Sequence, residues 1–315
     1  MASLAYIQLT RECNQQCRFC SNPPTKKTLT LEQGKKLIDL YIKKSYDGII
    51  FTGGEPTLSP FLGDLISYCR VKNMPCRIIT NGQKLADYSY LLELKKAGLQ
   101  QLHLSFYSYK KEIQSFLTQN KDALDNIIKA LRNLEKLPKI RVDMNIVINH
   151  YNAGHLYENV SWIVKNFSFV RHFVWNNLDP YMDRAKENPD TIPRLSEIEL
   201  SLHRALVFLE KHHKTFRVER LPLCALPEFE HVLNETRKLV KKENRVTFFL
   251  DNRGFHYEND WKKKWGYDKT DCCKTCFLDS ICPGLYQMDK FYSSKELHPV
   301  FVSKEAITAK ILHGR

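Results

Sequence analysis

Residues 13–20 read Cys13-Asn14-Gln15-Gln16-Cys17-Arg18-Phe19-Cys20, three thiols at spacing C-x3-C-x2-C. A loop of that length can turn three sulfurs toward one centre. Three thiolates can hold three irons of a [4Fe–4S] cube and leave the fourth iron open to a ligand that is not protein. Zinc is a competing reading, because closed zinc sites prefer four protein ligands and often draw on cysteine pairs. Three buried, unligated thiols are the plain alternative. The residues just before, Leu4 to Thr10, alternate partly between apolar and polar and read as a strand, so the loop leaves a strand end.

A second stretch works with the first. Asp47-Gly48-Ile49-Ile50-Phe51-Thr52-Gly53-Gly54-Glu55-Pro56 reads as a short buried strand, Gly48 to Phe51, running into a Gly-Gly-Glu-Pro turn. Gly53 and Gly54 allow close backbone approach to a ligand, and Glu55 supplies an acceptor for an ammonium group. Taken alone, the two glycines are an ordinary strand-end turn. The ordered pair, C-x3-C-x2-C after one strand and GGEP after the next, resembles the radical SAM superfamily in its C-x3-C-x-Φ-C form, with Phe19 as the aromatic Φ. In that family the open iron chelates the amino and carboxylate groups of S-adenosylmethionine. The resemblance covers roughly residues 4–180.

The chain has 315 residues, enough for one barrel domain of about 200–250 residues plus a small module, or for two ordinary domains. It is 43% hydrophobic and 26% charged, the composition of a soluble globular protein. No apolar run reaches the roughly 18 residues needed to span a membrane, and the N-terminus lacks the pattern of a signal peptide. Ten cysteines could form an extracellular disulfide framework, but their clustering and the missing signal argue for metal in a reducing compartment. A cytoplasmic location is expected. The net charge is +13, yet the Lys pairs are dispersed and no block of five like charges occurs. That pattern suits a solvated surface, with at most a hint of an anionic substrate; a membrane or nucleic-acid partner is not expected.

Taken in order, the chain alternates strand and helix. Pro23-Pro24 marks a loop over 22–28. Thr30 caps a helix to about residue 46 whose apolar set is Leu37, Ile38, Tyr41 and Ile42. Ser59-Pro60 predicts a second helix to about 72. Cys76 to Thr80 is a strand closed by Asn81-Gly82; residues 87–97 are a helix stopped by Gly98. Leu102 to Phe106 is a strand, 109–137 a helical region broken near 117–121, and Ile140 to Ile148 a strand. A helix over 154–166 and a strand over 169–175 follow. Six such units predict an open, parallel (β/α)6 partial TIM-like barrel, whose active site lies at the C-terminal strand ends. Residues 180–195, with three prolines, read as a connecting loop. Ser196 and Glu199 read as the capping box of a helix over 196–213. Val246–Leu250 and Phe255–Tyr257 around Gly254 read as a hairpin. The expected division is a core barrel at 1–180, a linker and helix at 181–215, and a small cysteine-rich auxiliary-cluster domain at 216–315.

The resemblance implies further contacts to S-adenosylmethionine at strand ends: Gly53, Gly54 and Glu55, Ser105 toward its methionine part, and Asn145 toward ribose or carboxylate. Phe19 is expected to pack near the adenine and shield the cluster. Asn81 faces the same cavity. Ser and Asn at strand ends also commonly satisfy local backbone. His103, Tyr107, Trp175, Asn176 and Asn177 stand near strand ends where they could face a substrate, and packing accounts for each equally well.

Cys273-Lys274-Thr275-Cys276 followed by Cys282 gives C-x2-C-x5-C, with Cys224 upstream. Those four thiols resemble the ligands of the auxiliary module called Twitch, or half of the related SPASM module. Tyr286 stands where a full SPASM run has a further cysteine. One auxiliary [4Fe–4S] cluster on Cys224, Cys273, Cys276 and Cys282 is therefore expected, with structural zinc on the same thiols as the competing reading. Cys272 could replace Cys273, although the register favours Cys273. Cys69 and Cys76 are assigned no chemistry.

The resemblance implies reductive cleavage of S-adenosylmethionine at the cluster on Cys13, Cys17 and Cys20, giving a 5′-deoxyadenosyl radical that abstracts hydrogen from a substrate. An auxiliary cluster favours net oxidation. The first expectation is oxidation of a peptide or protein side chain, with a ferredoxin or flavodoxin as electron donor. Because the first cysteine is already residue 13, such a substrate would be leaderless or need a separate recognition protein. The second expectation is dehydrogenation or rearrangement of a small metabolite, a sugar or nucleotide derivative. A non-catalytic RNA binder has no use for the GGEP turn, and a radical methylase lacks an evident methyl-carrying cysteine or room for a cobalamin domain.

Overall fold

The computed structural model describes residues 3–21, 25–180, 183–242, 245–250, 254–257 and 266–314. Six strands run parallel in chain order: β1 (Leu4–Thr10), β2 (Gly48–Gly53), β3 (Cys76–Thr80), β4 (Gln101–Ser105), β5 (Arg141–Ile148) and β6 (His172–Asn177). They are the six strands expected, in a curled parallel half-barrel. The sheet then continues at both edges. β7 (Thr215–Glu219) pairs parallel with β6, β8 (Arg245–Phe249) pairs parallel with β1, and β9 (Gly254–Tyr257) pairs antiparallel with β8. The order is β7-β6-β5-β4-β3-β2-β1-β8-β9. The hairpin expected in the C-terminal module thus lies beside β1, and Thr215-Phe216-Arg217-Val218-Glu219 is a seventh barrel strand. Its period of two explains why: Phe216 and Val218 stand opposite Phe173 and Trp175 on the buried outer face.

Helices cover that outer face. α1 (Leu31–Lys43) starts with a capping box between Thr30 and Gln33 and buries Leu37, Ile38 and Tyr41. α2 spans Leu62–Val71; Ser59-Pro60 precede it rather than start it, because Glu55 caps a separate 3-10 turn at Pro56–Leu58. α3 (Tyr88–Ala97) is capped by Asp87 and ends at Gly98, whose φ of 120° suits glycine. α4 (Lys111–Thr118) and α5 (Ala123–Glu135) are separated at Gln119 in a left-handed conformation. α6 (His150–Ala153) and α7 (Leu156–Asn166) lead to β6. In the expected loop lie α8 (Asp183–Glu187) and a 3-10 turn at Pro189–Thr191. α9 (Leu195–Lys211) begins one residue earlier than predicted, so Arg194 N donates to Glu197 Oε2 (3.2 Å), while Ser196 N donates to Glu296. α10 (Asn234–Lys241), the antiparallel pair β10 (Tyr267–Asp268) and β11 (Leu285–Tyr286), and α11 (Lys304–His313) complete the chain. Pro23, Pro24 and Lys262–Lys264 lie outside the described residues. No described helix is long and apolar enough to cross a membrane.

Strand alternation divides the sheet into two faces. Ala5, Ile7, Leu9, Ile49, Phe51, Leu102, Leu104, Met144 and Phe173 point to the helices and are buried in one core. The intervening positions face inward and are mostly polar: Gln8, Thr52, Arg77, His103, Asp143, His172 and Arg217 line a single cavity of about 540 Å³. The core side holds the barrel together, and the polar side is left for function.

Candidate active site

The cysteine loop is fixed at both ends by backbone hydrogen bonds. At its entry, Gly54 N donates to Thr10 O (2.7 Å) and Glu55 N to Glu12 O (2.8 Å). The GGEP glycines make this approach possible: a Cβ on Gly53 would lie 2.1 Å from Thr10 O, and one on Gly54 2.3 Å from Glu12 O. Their smallness therefore serves contact between the two motifs, and both glycines also line the cavity. Further along, Gln16 N donates to Thr118 O (3.1 Å) and Arg18 N to Leu117 O (2.9 Å). The last carbonyls of a helix lack intrahelical partners, and α4 places two of them on the loop.

Cys13, Cys17 and Cys20 all line the cavity. Asn81 Nδ2 donates to Asn14 Oδ1 (2.7 Å) and lies 3.8 Å from Cys13 Sγ. Cys17 Sγ lies 3.7 Å from Gln15 Oε1. Burial pushes the Cys13 thiol up to about 11 and Cys17 well above the ordinary thiol range, and the neighbouring cysteines raise both further. Three half-buried thiols side by side disfavour one another's ionisation, and bound cationic iron would reverse that preference. Among the described residues no three His, Cys, Asp or Glu side chains converge on a point that one metal ion could occupy. The fit to a [4Fe–4S] cluster rests on the donor set and on the open cavity beside it.

Glu55 is buried, 1% exposed, and lies at the cavity wall. Its Oε1 accepts from Thr57 N (3.1 Å), Thr57 Oγ1 (2.7 Å) and Thr80 Oγ1 (2.7 Å), and its Oε2 from Asn81 N (2.7 Å). Burial raises its carboxyl above the usual range although these bonds favour the ionised form. Glu55 thus joins the end of β2 to the end of β3 and sets Asn81 beside Cys13. Sequence reasoning missed this bridge, since Thr80 and Asn81 are distant in the chain.

Phe19 is 5% exposed and stands edge-on to Tyr107, ring centroids 4.8 Å apart, among Leu117, Leu178 and Ala185. Such a pair contributes about 0.5–1.5 kcal/mol beyond its burial. Ser105 and Asn145 stand opposite each other across β4 and β5 on the cavity wall. Asn145 Oδ1 accepts from Asn176 Nδ2 (2.8 Å), and Ser105 pairs with the Tyr107 phenol. His103, Tyr107 and Asn176 line the cavity; Trp175 and Asn177 do not. Trp175 points into the helix-facing core, and Asn177 binds Arg220 O and Leu178 N. One step of strand parity separates them from Asn176.

The C-terminal cysteines form a second, smaller site. Cys224, Cys273, Cys276 and Cys282 line one pocket of about 20 Å³, with Lys269 and His298 beside them. Gly284 N lies 3.4 Å from Cys282 Sγ and Val300 N 3.3 Å from Cys276 Sγ, each as donor. Burial pushes Cys224 up to about 12 and raises Cys282. Cys272 is not in the pocket wall, but its thiol lies against that of Cys273 and takes the Thr270 hydroxyl at 3.1 Å. Tyr286 donates to Asp179 Oδ1 (3.0 Å) and Tyr292 to Leu178 O (2.7 Å), so this region is docked at the end of β6.

A parallel half-barrel whose first strand ends in a three-cysteine loop against a GGEP turn defines a class of enzyme. Residues 7–163 match the radical SAM superfamily model, and the chain carries a radical SAM domain. That family implies a [4Fe–4S] cluster and S-adenosylmethionine. Similar curated proteins include Fe-coproporphyrin III synthase of Methanosarcina barkeri, 32% identical over 46% of this chain and 37% of that protein. The S-adenosylmethionine-dependent nucleotide dehydratase of Danio rerio is 28% identical over 78% of this chain and 66% of that protein. The chain thus spans less than two thirds of the length of either relative. Among solved structures, SuiB of Streptococcus suis bound to S-adenosylmethionine has a TM-score of 0.67 at 16% identity, over 90% of this chain and 72% of that one. SuiB has also been solved with its precursor peptide SuiA.

Proposed function

We propose that this enzyme cleaves S-adenosylmethionine reductively and oxidises a small anionic metabolite by hydrogen abstraction, passing an electron to a second iron–sulfur cluster. Cys13, Cys17 and Cys20 would hold the first cluster, and Cys224, Cys273, Cys276 and Cys282 the second. When bound, the first cluster and S-adenosylmethionine supply a 5′-deoxyadenosyl radical, and the second cluster supplies an electron acceptor. The chain's own residues orient and exclude. Glu55 positions Asn81 at Cys13; Ser105 and Asn145 offer polar atoms on the wall; Phe19 and Tyr107 close the loop side against water. A low-potential ferredoxin or flavodoxin is the reductant this reading calls for.

The observation that carries the choice of substrate is the inner wall of β3–β7, where Arg77, Arg141 and Arg217 face a cavity enclosed by the sheet. Such a wall suits a small charged molecule better than a peptide side chain. The peptide-bound SuiB, at 16% identity, speaks for the fold alone. Of the sequence relatives, one is named a nucleotide dehydratase and another a probable GTP 3′,8-cyclase, and both names are compatible with an anionic substrate. The test is anaerobic 5′-deoxyadenosine formation with dithionite, supplied in turn with low-mass acidic metabolites and with peptide fractions. Stimulation by the metabolites, with loss of two hydrogens from one of them, is expected. Stimulation by peptides alone would return the peptide reading to first place, and no cleavage under any condition would sink the whole reading.

A further inference from the structure

The cavity has two ends of opposite character. Near the cysteines its wall carries Glu55, Asp179 and Glu219, with Arg220 set between Asp179 and Glu219. At the far end, near the N-terminal ends of the strands, the inward charges are Arg77 on β3, Arg141 and Asp143 on β5, and Arg217 on β7. Asp143 is fully committed: Oδ1 accepts from Arg141 Nε (3.0 Å) and Oδ2 from Gln101 Nε2 (2.7 Å). The Arg217 guanidinium folds back toward the floor, donating to Phe216 O (2.6 Å). His103 and His172 complete the ring. Burial, reinforced by the arginines and opposed by Asp143, pushes both down to about 4, so they are neutral near pH 7. His103 Nε2 is buried and has no hydrogen-bond partner among the described residues. The inward face of the floor therefore carries three guanidiniums and one carboxylate, with the Arg141 side chain half exposed at its rim.

We infer that Arg77, Arg141 and Arg217 bind the phosphoryl group of a phosphorylated small-molecule substrate and so fix its depth below the cysteine loop. This rests on the radical reading above. A phosphate monoester carries about −1.5 to −2 at neutral pH and three strong acceptor oxygens, more than one carboxylate offers to several guanidiniums. Guanidiniums arriving from three strands suit a tetrahedral group with several acceptor oxygens better than a planar one with two. The distance agrees as well. Arg141 and Asn145 lie four residues apart on β5, or about 13 Å at the rise of a parallel strand. That is the span of a sugar phosphate or nucleotide anchored at one end and presented at the other.

The test uses pyrophosphate and malonate as probes, titrated calorimetrically into the anaerobic, iron-loaded protein. Pyrophosphate should bind saturably and at least about tenfold more tightly than malonate. Arg77→Gln and Arg141→Gln should each weaken it by about tenfold or more, the loss of one charge-assisted contact. Lys36→Gln, on an exposed helix face, should leave it unchanged. Iron content and circular dichroism establish that the variants fold. If neither arginine variant folds, the preference for pyrophosphate over malonate in the wild type decides. Absent binding, equal binding of malonate, or binding unmoved in both folded arginine variants would each overturn the proposal. Wild-type 5′-deoxyadenosine formation is measured in parallel. Cleavage without pyrophosphate binding fells the floor alone, and binding without cleavage fells the radical reading alone.

Discussion

The cysteines of residues 13–20 and those of residues 224–282 are both sets of half-buried thiols on short turns, but their surroundings differ. The first set is tied down by main-chain bonds from two sides, the GGEP turn and the end of α4, and opens onto a cavity of about 540 Å³. The second has four thiols around a pocket of about 20 Å³, with Leu223 and Leu297 in its wall. Three thiols beside open space suit a centre that must accept an exchangeable co-substrate. Four thiols around a small pocket suit a centre that stays fully ligated and only passes electrons or holds structure.

The most drastic way to break this contrast is to remove each set. Changing Cys13, Cys17 and Cys20 together to Ala should lower iron from about eight to about four per chain and abolish 5′-deoxyadenosine formation. Changing Cys276 and Cys282 to Ala should also remove about four irons, yet leave some S-adenosylmethionine cleavage detectable. Anaerobic iron and zinc analysis with a product assay separates the outcomes. Zinc in the second set would make it a structural site and take away the electron acceptor on which net oxidation depends.

A finer test uses the close glycine contact between the GGEP turn and the first cysteine loop. In Gly54→Ala the new Cβ would meet Glu12 O at 2.3 Å and Arg11 O at 2.7 Å, both backbone atoms that cannot swing aside. The loop entry must shift, so this variant should keep only about four irons, those of the second set. Gly63→Ala is the control: it lies in α2, a Cβ there meets nothing within 4 Å, and helix propensity should raise stability by up to about 1 kcal/mol. Equal iron in both variants would mean that the GGEP glycines do not hold the loop.

What the sequence made legible follows the same division. Cys13, Cys17 and Cys20 are close in the chain, so spacing alone brought them together. The order of the first six strands could be read from alternation, and helix ends from Thr30, Asp87 and Gly98, whereas β7 and the place of β8 and β9 beside β1 could not. The floor was not legible. Arg77, His103, Arg141, His172 and Arg217 come from five strands, and each counts only once its parity toward the cavity is known. Asn176 and Trp175 differ by one residue and face opposite sides, which the fragment Val-Trp-Asn-Asn cannot decide by itself. Glu55 read as a ligand for an ammonium group; the four hydrogen bonds that make it a bridge come partly from β3, a long-range pairing no local pattern encodes.

The smallest expected effect concerns Arg18, which lies between two of the cysteines. Its guanidinium pairs with Asp190 at 3.1 Å and stacks over Phe116 at 4.5 Å. Both acid and base are partly exposed, so the ion pair contributes at most about 1 kcal/mol and is screened by salt. The ring contact at such a site adds about 0.5–1 kcal/mol. The loop itself is held through Arg18 N, a main-chain donor that survives any substitution except proline. Arg18→Ala should therefore lower stability by about 1 kcal/mol, less at high salt, while iron content and 5′-deoxyadenosine formation stay near wild type. Denaturant melts at low and high salt with iron analysis would check it. A loss of about four irons would show that the first site depends on this side chain, and would move the main cause of its rigidity from the α4 carbonyls to the Arg18–Asp190 contact.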